Sequence, residues 1–149
     1  MSIADEVRLV FSGFDFGPPC DAEEIDRAEN ELGHPLPALL RELYLSFDGF
    51  RGPTDAGFFS PLLRRDNLGS ESLVSYTLWL RCEDYFPEVL QASVVFGNDG
   101  CGSDWGMRFD SGHEVFEWRA GQGESYLVVG KSPLDAWRRG KALYSDSIT

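Results

Sequence analysis

The stretch FGNDGCGSDWG, Phe96 to Gly106, gathers four glycines, two aspartates, an asparagine and a cysteine. Such a loop could cradle a phosphate, ligate a cation or present a nucleophile. A phosphate loop needs GxxxxGK[ST], or GxGxxG between a parallel strand and a helix. Here no lysine is present, and Trp105-Gly106-Met107-Arg108-Phe109 reads as a further strand. A calcium site would draw on Asn98, Asp99 and Asp104, yet the alternating ligands and closing glutamate of an EF-hand are missing. A nucleophilic Cys101 needs a histidine base, and nothing in the sequence places either of the chain's two histidines, His34 and His113, beside it. Adjacent carboxylates such as Glu83 and Asp84 suit a solvated face better than a general acid and base. The loop therefore reads first as a turn. Asn98-Asp99-Gly100 tolerates positive backbone dihedrals, and Gly102 and Gly106 allow tight passage. A loop so rich in aspartate can still touch another protein.

The surrounding elements are legible from period and punctuation. Ile3, Val7, Val10 and Phe11 recur at helical spacing between a Ser2 cap and a Gly13 stop. Asp21 and Glu24 form a capping-box pair ahead of the stripe Ile25, Ala28, Leu32, and Gly33 ends that helix. Pro37 suits the first turn of a third helix with Leu39, Leu40, Leu43, Tyr44 and Phe47 inside, closed by Asp48-Gly49. Phe58 to Leu63 could be a strand. Ser70 to Phe86 fits helix or strand; its length and a Ser70 cap favour helix, and Pro87 ends it. Strands follow at Val94–Gly97, Trp105–Phe109, Val115–Arg119 and Glu124–Val129, joined by Asp110-Ser111-Gly112 and Gly121-Gln122-Gly123. A last helix starts at Ser132-Pro133, with Leu134, Ala136, Trp137 and Leu143 inward. Short turns make the sheet antiparallel. The expectation is an α+β fold. It is a single layered domain over 1–149, a mainly antiparallel sheet of four to six strands packed with N-terminal helices and a C-terminal helix. Trp79, Trp118 and Trp137 are expected in its core.

Charge bounds the function. Twenty-five acids against thirteen bases give −12. Such a chain is repelled by nucleic acid and anionic membranes and attracted to cationic partners. Residues 1–31 hold nine acids and two bases, whereas residues 131–141 hold four bases and one acid. No uncharged run exceeds ten residues, short of the roughly 20 that span a bilayer. The acidic start, Met1-Ser2-Ile3-Ala4-Asp5-Glu6, is unlike a secretion signal. Cys20, Cys82 and Cys101 are an odd number without CxxC spacing, which suggests a reducing compartment and no zinc. The expectation is a cytoplasmic protein.

The segment EIDRAENELGHPLPALLRELYLSFDGF, Glu24 to Phe50, resembles the signature of the SUKH superfamily. That group includes fungal Smi/Knr cell-wall-assembly regulators and many bacterial immunity proteins. The shared pattern is an acidic helix ending Leu32-Gly33, then Leu36-Pro37, Leu43-Tyr44 and Asp48-Gly49, with the glycine-rich loop following a later strand. Asp48-Gly49-Phe50 departs from the Asn-Gly-Gly turn of many members. The resemblance implies a mixed domain without catalytic residues, metal or cofactor. It further implies an immunity protein that binds and neutralises a cognate polymorphic toxin domain of nuclease or deaminase type. The alternative is an intracellular scaffold or regulatory module. Toxins that act on nucleic acid are basic, and an acidic inhibitor is steered to them. The chain itself is expected as a monomer or weak homo-oligomer. The expected contacts are Glu83 and Asp84, with Asp99, Asp104 and Trp105 on the glycine-rich loop.

Overall fold

The computed structural model describes residues 1–52, 57–63, 72–110, 112 and 114–148. In chain order these form α1 (Ile3–Val10), β1 (Asp15–Phe16), α2 (Ala22–Leu32), α3 (Ala38–Ser46), β2 (Phe50–Arg51) and α4 (Leu73–Arg81). A 3-10 turn (Glu88–Leu90) then precedes β3 (Ser93–Asn98), β4 (Ser103–Arg108), β5 (Val115–Arg119), β6 (Leu127–Gly130) and α5 (Pro133–Ile148). β3 to β6 form an antiparallel meander in sequence order, and β1 pairs with β2 in a separate ribbon. The α+β expectation holds.

The first two helices start where their caps put them. The Ser2 hydroxyl accepts from Asp5 N, and the Asp5 carboxylate accepts from Ser2 N. Asp21 and Glu24 make the same reciprocal pair, and Gly33 closes α2 at φ +77°. Pro37 stands one step outside α3, as its N-cap, because its ψ of 140° is extended.

Asp48-Gly49 does more than stop α3. The Asp48 carboxylate is buried and accepts from Leu62 N at 2.7 Å and from the Cys20 thiol at 3.3 Å. Gly49 takes φ +82°, and a Cβ there would sit 2.6 Å from the Phe59 carbonyl oxygen. The pair thus sews α3, the chain before α2 and residues 59–62 together. Those bonds explain why Phe58 to Leu63 is not a strand. Phe59 makes a single bridge to Phe50, Ser60 N reaches Phe96 O on the outer edge of β3, and Leu62 N is diverted to Asp48. The segment clasps the ribbon to the main sheet.

The sheet carries a core on each face, as alternation along its strands requires. On one face Val94, Phe96, Trp105, Met107 and Val115 join the buried residues of α1, α2, α3 and α5. On the other, Val95, Phe116 and Trp118 pack against Leu80, Phe86 and Leu90. Trp118 and Trp137 are buried as expected. α5 turns Leu134, Ala136 and Trp137 inward, but Leu143 is exposed. Gly140 holds the next inward place instead, because a Cβ there would lie 2.6 Å from the Trp105 indole.

The ambiguous middle segment is helical, but shorter than 70–86. Ser72 caps α4, its hydroxyl accepting from Ser75 N. The helix ends at Arg81, where Cys82 N and Glu83 N bond back three residues to Trp79 O and Leu80 O and tighten the last turn. Ser70, Ser111 and His113, singled out from sequence, lie outside the described residues.

Candidate protein-binding face

The glycine-rich stretch is a closed turn between β3 and β4. The Asp99 carboxylate accepts from Cys101 N at 2.7 Å and Ser103 N at 3.0 Å, and the Asn98 side chain accepts from Gly100 N. Gly100 and Gly102 take φ +76° and +102°. The Tyr144 hydroxyl donates to Asp99 O from α5. Asp99 is therefore buried and committed to backbone. Among the described residues no group of three or more His, Cys, Asp or Glu could hold a metal. Cys101 is exposed, and His34 stacks on Phe109 past the far end of β4, with ring centroids 3.8 Å apart. Of two clefts, one of about 260 Å³ lies elsewhere and one of about 300 Å³ touches the stretch only at Ser103; neither is lined by histidine or cysteine.

Trp105, expected at a contact surface, lies wholly inside. Its position in β4 alternates onto the main-core face, where it packs edge-on to Phe58 and its indole N–H donates to the Glu117 carboxylate at 2.9 Å. Asp104, one residue earlier, points to the opposite face. It is nearly covered, and the Tyr76 hydroxyl donates to its carboxylate at 2.8 Å.

That bond leads from the loop to α4. Leu73, Val74, Thr77 and Leu80 are the buried side of the helix, and the Thr77 hydroxyl accepts from Val95 N at the irregularity in β3. Trp79 faces outward and is 50% exposed, contrary to its expected place in the core. Its ring stacks on Tyr76, with centroids 5.8 Å apart and planes 21° from parallel. Beyond the helix, Tyr85 is 47% exposed and lies parallel to Trp118 at 6.3 Å, while Val89 is 42% exposed. Trp118 in turn sits opposite Asp104 in the β4–β5 register. Trp79, Tyr76, Asp104, Trp118, Tyr85 and Glu83 thus form a connected run across the C-terminal end of α4.

Acids frame it. Glu83 is half-buried, and Asp84 and Glu88 are exposed. The Tyr85 hydroxyl is held above the ordinary phenol range, first by desolvation and then by the charges of Glu83 and Asp104. The only base between Ser72 and Ala92 is Arg81, and it is turned inward. Its guanidinium donates to Leu32 O at the end of α2 and to Ser93 O at the start of β3. Burial lowers its pKa below the ordinary guanidinium range. The cation that could have neutralised this corner instead ties α2 to the sheet.

Of the five residues expected to make contacts, the structure brings Glu83 and Asp104 to one spot around Tyr85, with Asp84 beside them. It leaves Asp99 and Trp105 inside. The aromatic members were missed because α4 is apolar almost all round: Leu73, Val74, Tyr76, Leu78, Trp79 and Leu80 fall on every side. A nine-residue helix on a sheet edge buries one side only, so some of these had to face water.

The SMI1/KNR4 family model (SUKH-1) matches residues 19–135. The chain belongs to the SMI1/KNR4 family. No curated protein matches it. The matched SUKH-1 span runs from just before α2 to the start of α5 and contains Asp48-Gly49, the turn at Asp99 and the whole exposed corner. It leaves out α1 and most of α5, which close the main core with Phe11 and Trp137.

Proposed function

We propose that this SUKH-1 protein is an immunity protein. It binds a cognate, basic polymorphic toxin domain of nuclease or deaminase type and covers its active surface, without catalysis or cofactor of its own. The observation that carries the reading is the corner at the end of α4. Trp79, Tyr85 and Val89 are exposed within a frame of Glu83, Asp84 and Glu88, on a chain of net charge −12. Exposed aromatics are the residues that anchor protein interfaces, and a rim of one charge steers a partner of the other. Nucleic-acid-cleaving proteins carry that opposite charge because their substrate is a polyanion.

The test is co-expression with the toxin domain encoded by the adjoining gene. Wild type is expected to rescue growth, and Asp84→Lys to rescue poorly while melting normally. Full rescue by Asp84→Lys removes this face from the interface. Failure of the wild type to rescue, together with binding to a resident housekeeping protein, favours a regulatory module instead.

A further inference from the structure

We infer that the β6 edge of the sheet pairs with the same edge of a second copy of this chain. The two strands run antiparallel about a two-fold axis at Leu127 and give a weak, concentration-dependent homodimer.

The edge of a β-sheet is a row of unpaired backbone donors and acceptors. This fold closes one of its two edges. On β3, Phe96 O accepts from Ser60 N, Asn98 N donates to Gly57 O, and Val95 N donates to the Thr77 hydroxyl. The other edge is open: among the described residues, only β5 bonds to the backbone of Leu127–Gly130. Tyr126–Gly130 holds none of the prolines or charges that blunt an edge. Its one irregularity is an extra residue at Val129, where the register with β5 shifts. Leu127 and Val128, on opposite faces of the strand, are 53% and 48% exposed. Leu127 lies opposite Glu117, to which Arg139 of α5 donates. Leu143, exposed as well, is one turn from Arg139 on the same side of α5.

The charges at the edge select a second copy. Glu124 and Lys131 flank the apolar run, both exposed, and neither is in an ion pair among the described residues. Antiparallel pairing brings the Glu124 end of each copy to the Lys131 end of the other. Parallel pairing would set like charge beside like, and a foreign strand would have to carry an acid and a base in the matching order. The other charges along the edge are engaged within the chain. Arg139 pairs with Glu117 at 3.3 Å, and the Asp135 carboxylate accepts from Lys131 N and Ser132 N.

Symmetry fixes the register. Residues that face each other across two strands share a face of the sheet, so a two-fold axis normal to it sets one residue opposite its own copy. Centring on Leu127 keeps the contact clear of the bulge at Val129. Leu127 then meets Leu127 of the second copy on the α5 side. On the other side Tyr126 lies opposite Val128 of the second copy, twice over, an aromatic and β-branched pair of the kind that stabilises sheets. A contact this short falls below the ~1,200 Å² of a standard interface, so it forms and parts with concentration.

The experiment is sedimentation equilibrium of the full chain up to about 1 mM, a range that catches weak association. Salt is held at about 0.15 M to screen the repulsion between two acidic chains. Wild type is expected to rise from 16.7 kDa toward twice that mass. Leu127→Lys places two like charges at the axis and is expected to weaken the dimer about tenfold or more. Leu9→Lys makes the same change at an exposed leucine of α1 and should dimerise as wild type does. Thermal melting checks both folds. Amide hydrogen exchange of wild type adds a reading that needs no variant: protection at residues 127–129 should grow with concentration. A wild type that stays at 16.7 kDa throughout overturns the inference. So does a Leu127→Lys dimer as tight as wild type, or concentration-dependent protection that leaves out residues 127–129.

Discussion

Asp48→Ala should cost this domain more stability than any single change on its acidic surface. The Asp48 carboxylate accepts from Leu62 N at 2.7 Å and from the Cys20 thiol at 3.3 Å, and Leu62 is fully enclosed. A hydrogen bond to a charged acceptor contributes about 1.5–3 kcal/mol, and a buried donor left without a partner costs about 1–3 kcal/mol. Removing a buried charge returns some of its desolvation, which holds the total near about 3 kcal/mol. For a domain of this length that is a fall in melting temperature of about 6–12 °C. Asp48→Asn keeps an oxygen for Leu62 N and should lose about half as much. Thermal melting of the two variants, with chemical denaturation to extract free energies, measures both. An Asp48→Ala protein that melts within about 2 °C of wild type would refute the claim that this carboxylate joins α3 to residues 59–62.

Gly97→Ala should cost about 3 kcal/mol or more, because its Cβ would overlap the Phe58 carbonyl where residues 57–60 pass β3. Denaturant titration reads this directly, and a loss below about 1 kcal/mol would mean the two segments part easily. Trp79→Ala should change stability by less than about 0.5 kcal/mol, whereas Trp105→Ala should lose about 3–5 kcal/mol. Equal losses would contradict their opposite burial. Tyr44 sits wholly inside, and its pKa is raised well above 10.0, first by desolvation and then by Asp48 and Cys20. A raised folded value gives a contribution that is complete below pH 10 and lost as pH climbs toward the folded value. Urea midpoints should therefore begin to fall above pH 10, and less so in Tyr44→Phe, which gives up about 1 kcal/mol at neutral pH with its hydrogen bond to Ser60 O.

The helix starts were readable because caps are local: Ser2 with Asp5 and Asp21 with Glu24 find their partners three residues on. The meander was readable because glycine-rich turns separate alternating runs. Phe58 to Leu63 was not, since its hydrogen bonds go to Phe50, Phe96 and Asp48, none of them near in sequence. The same limit applies to the site. Nothing local shows that Arg81 turns back to Leu32 O, and without that fact the acids at Glu83 and Asp84 look like an ordinary solvated face. Trp79 and Trp105 have the same chemistry; only the edge position of α4 and the Gly140 gap in α5 send one outward and the other inward.

On the proposed function, the acidic, aromatic corner at the end of α4 captures a basic protein. The most direct test is the association rate with the toxin domain proposed as its partner, measured from low to high salt for wild type and for Glu83→Lys/Asp84→Lys. The wild-type rate is expected to drop about tenfold or more as salt screens the approach, and the double variant to be slow at low salt and nearly flat. Two identical curves would contradict it.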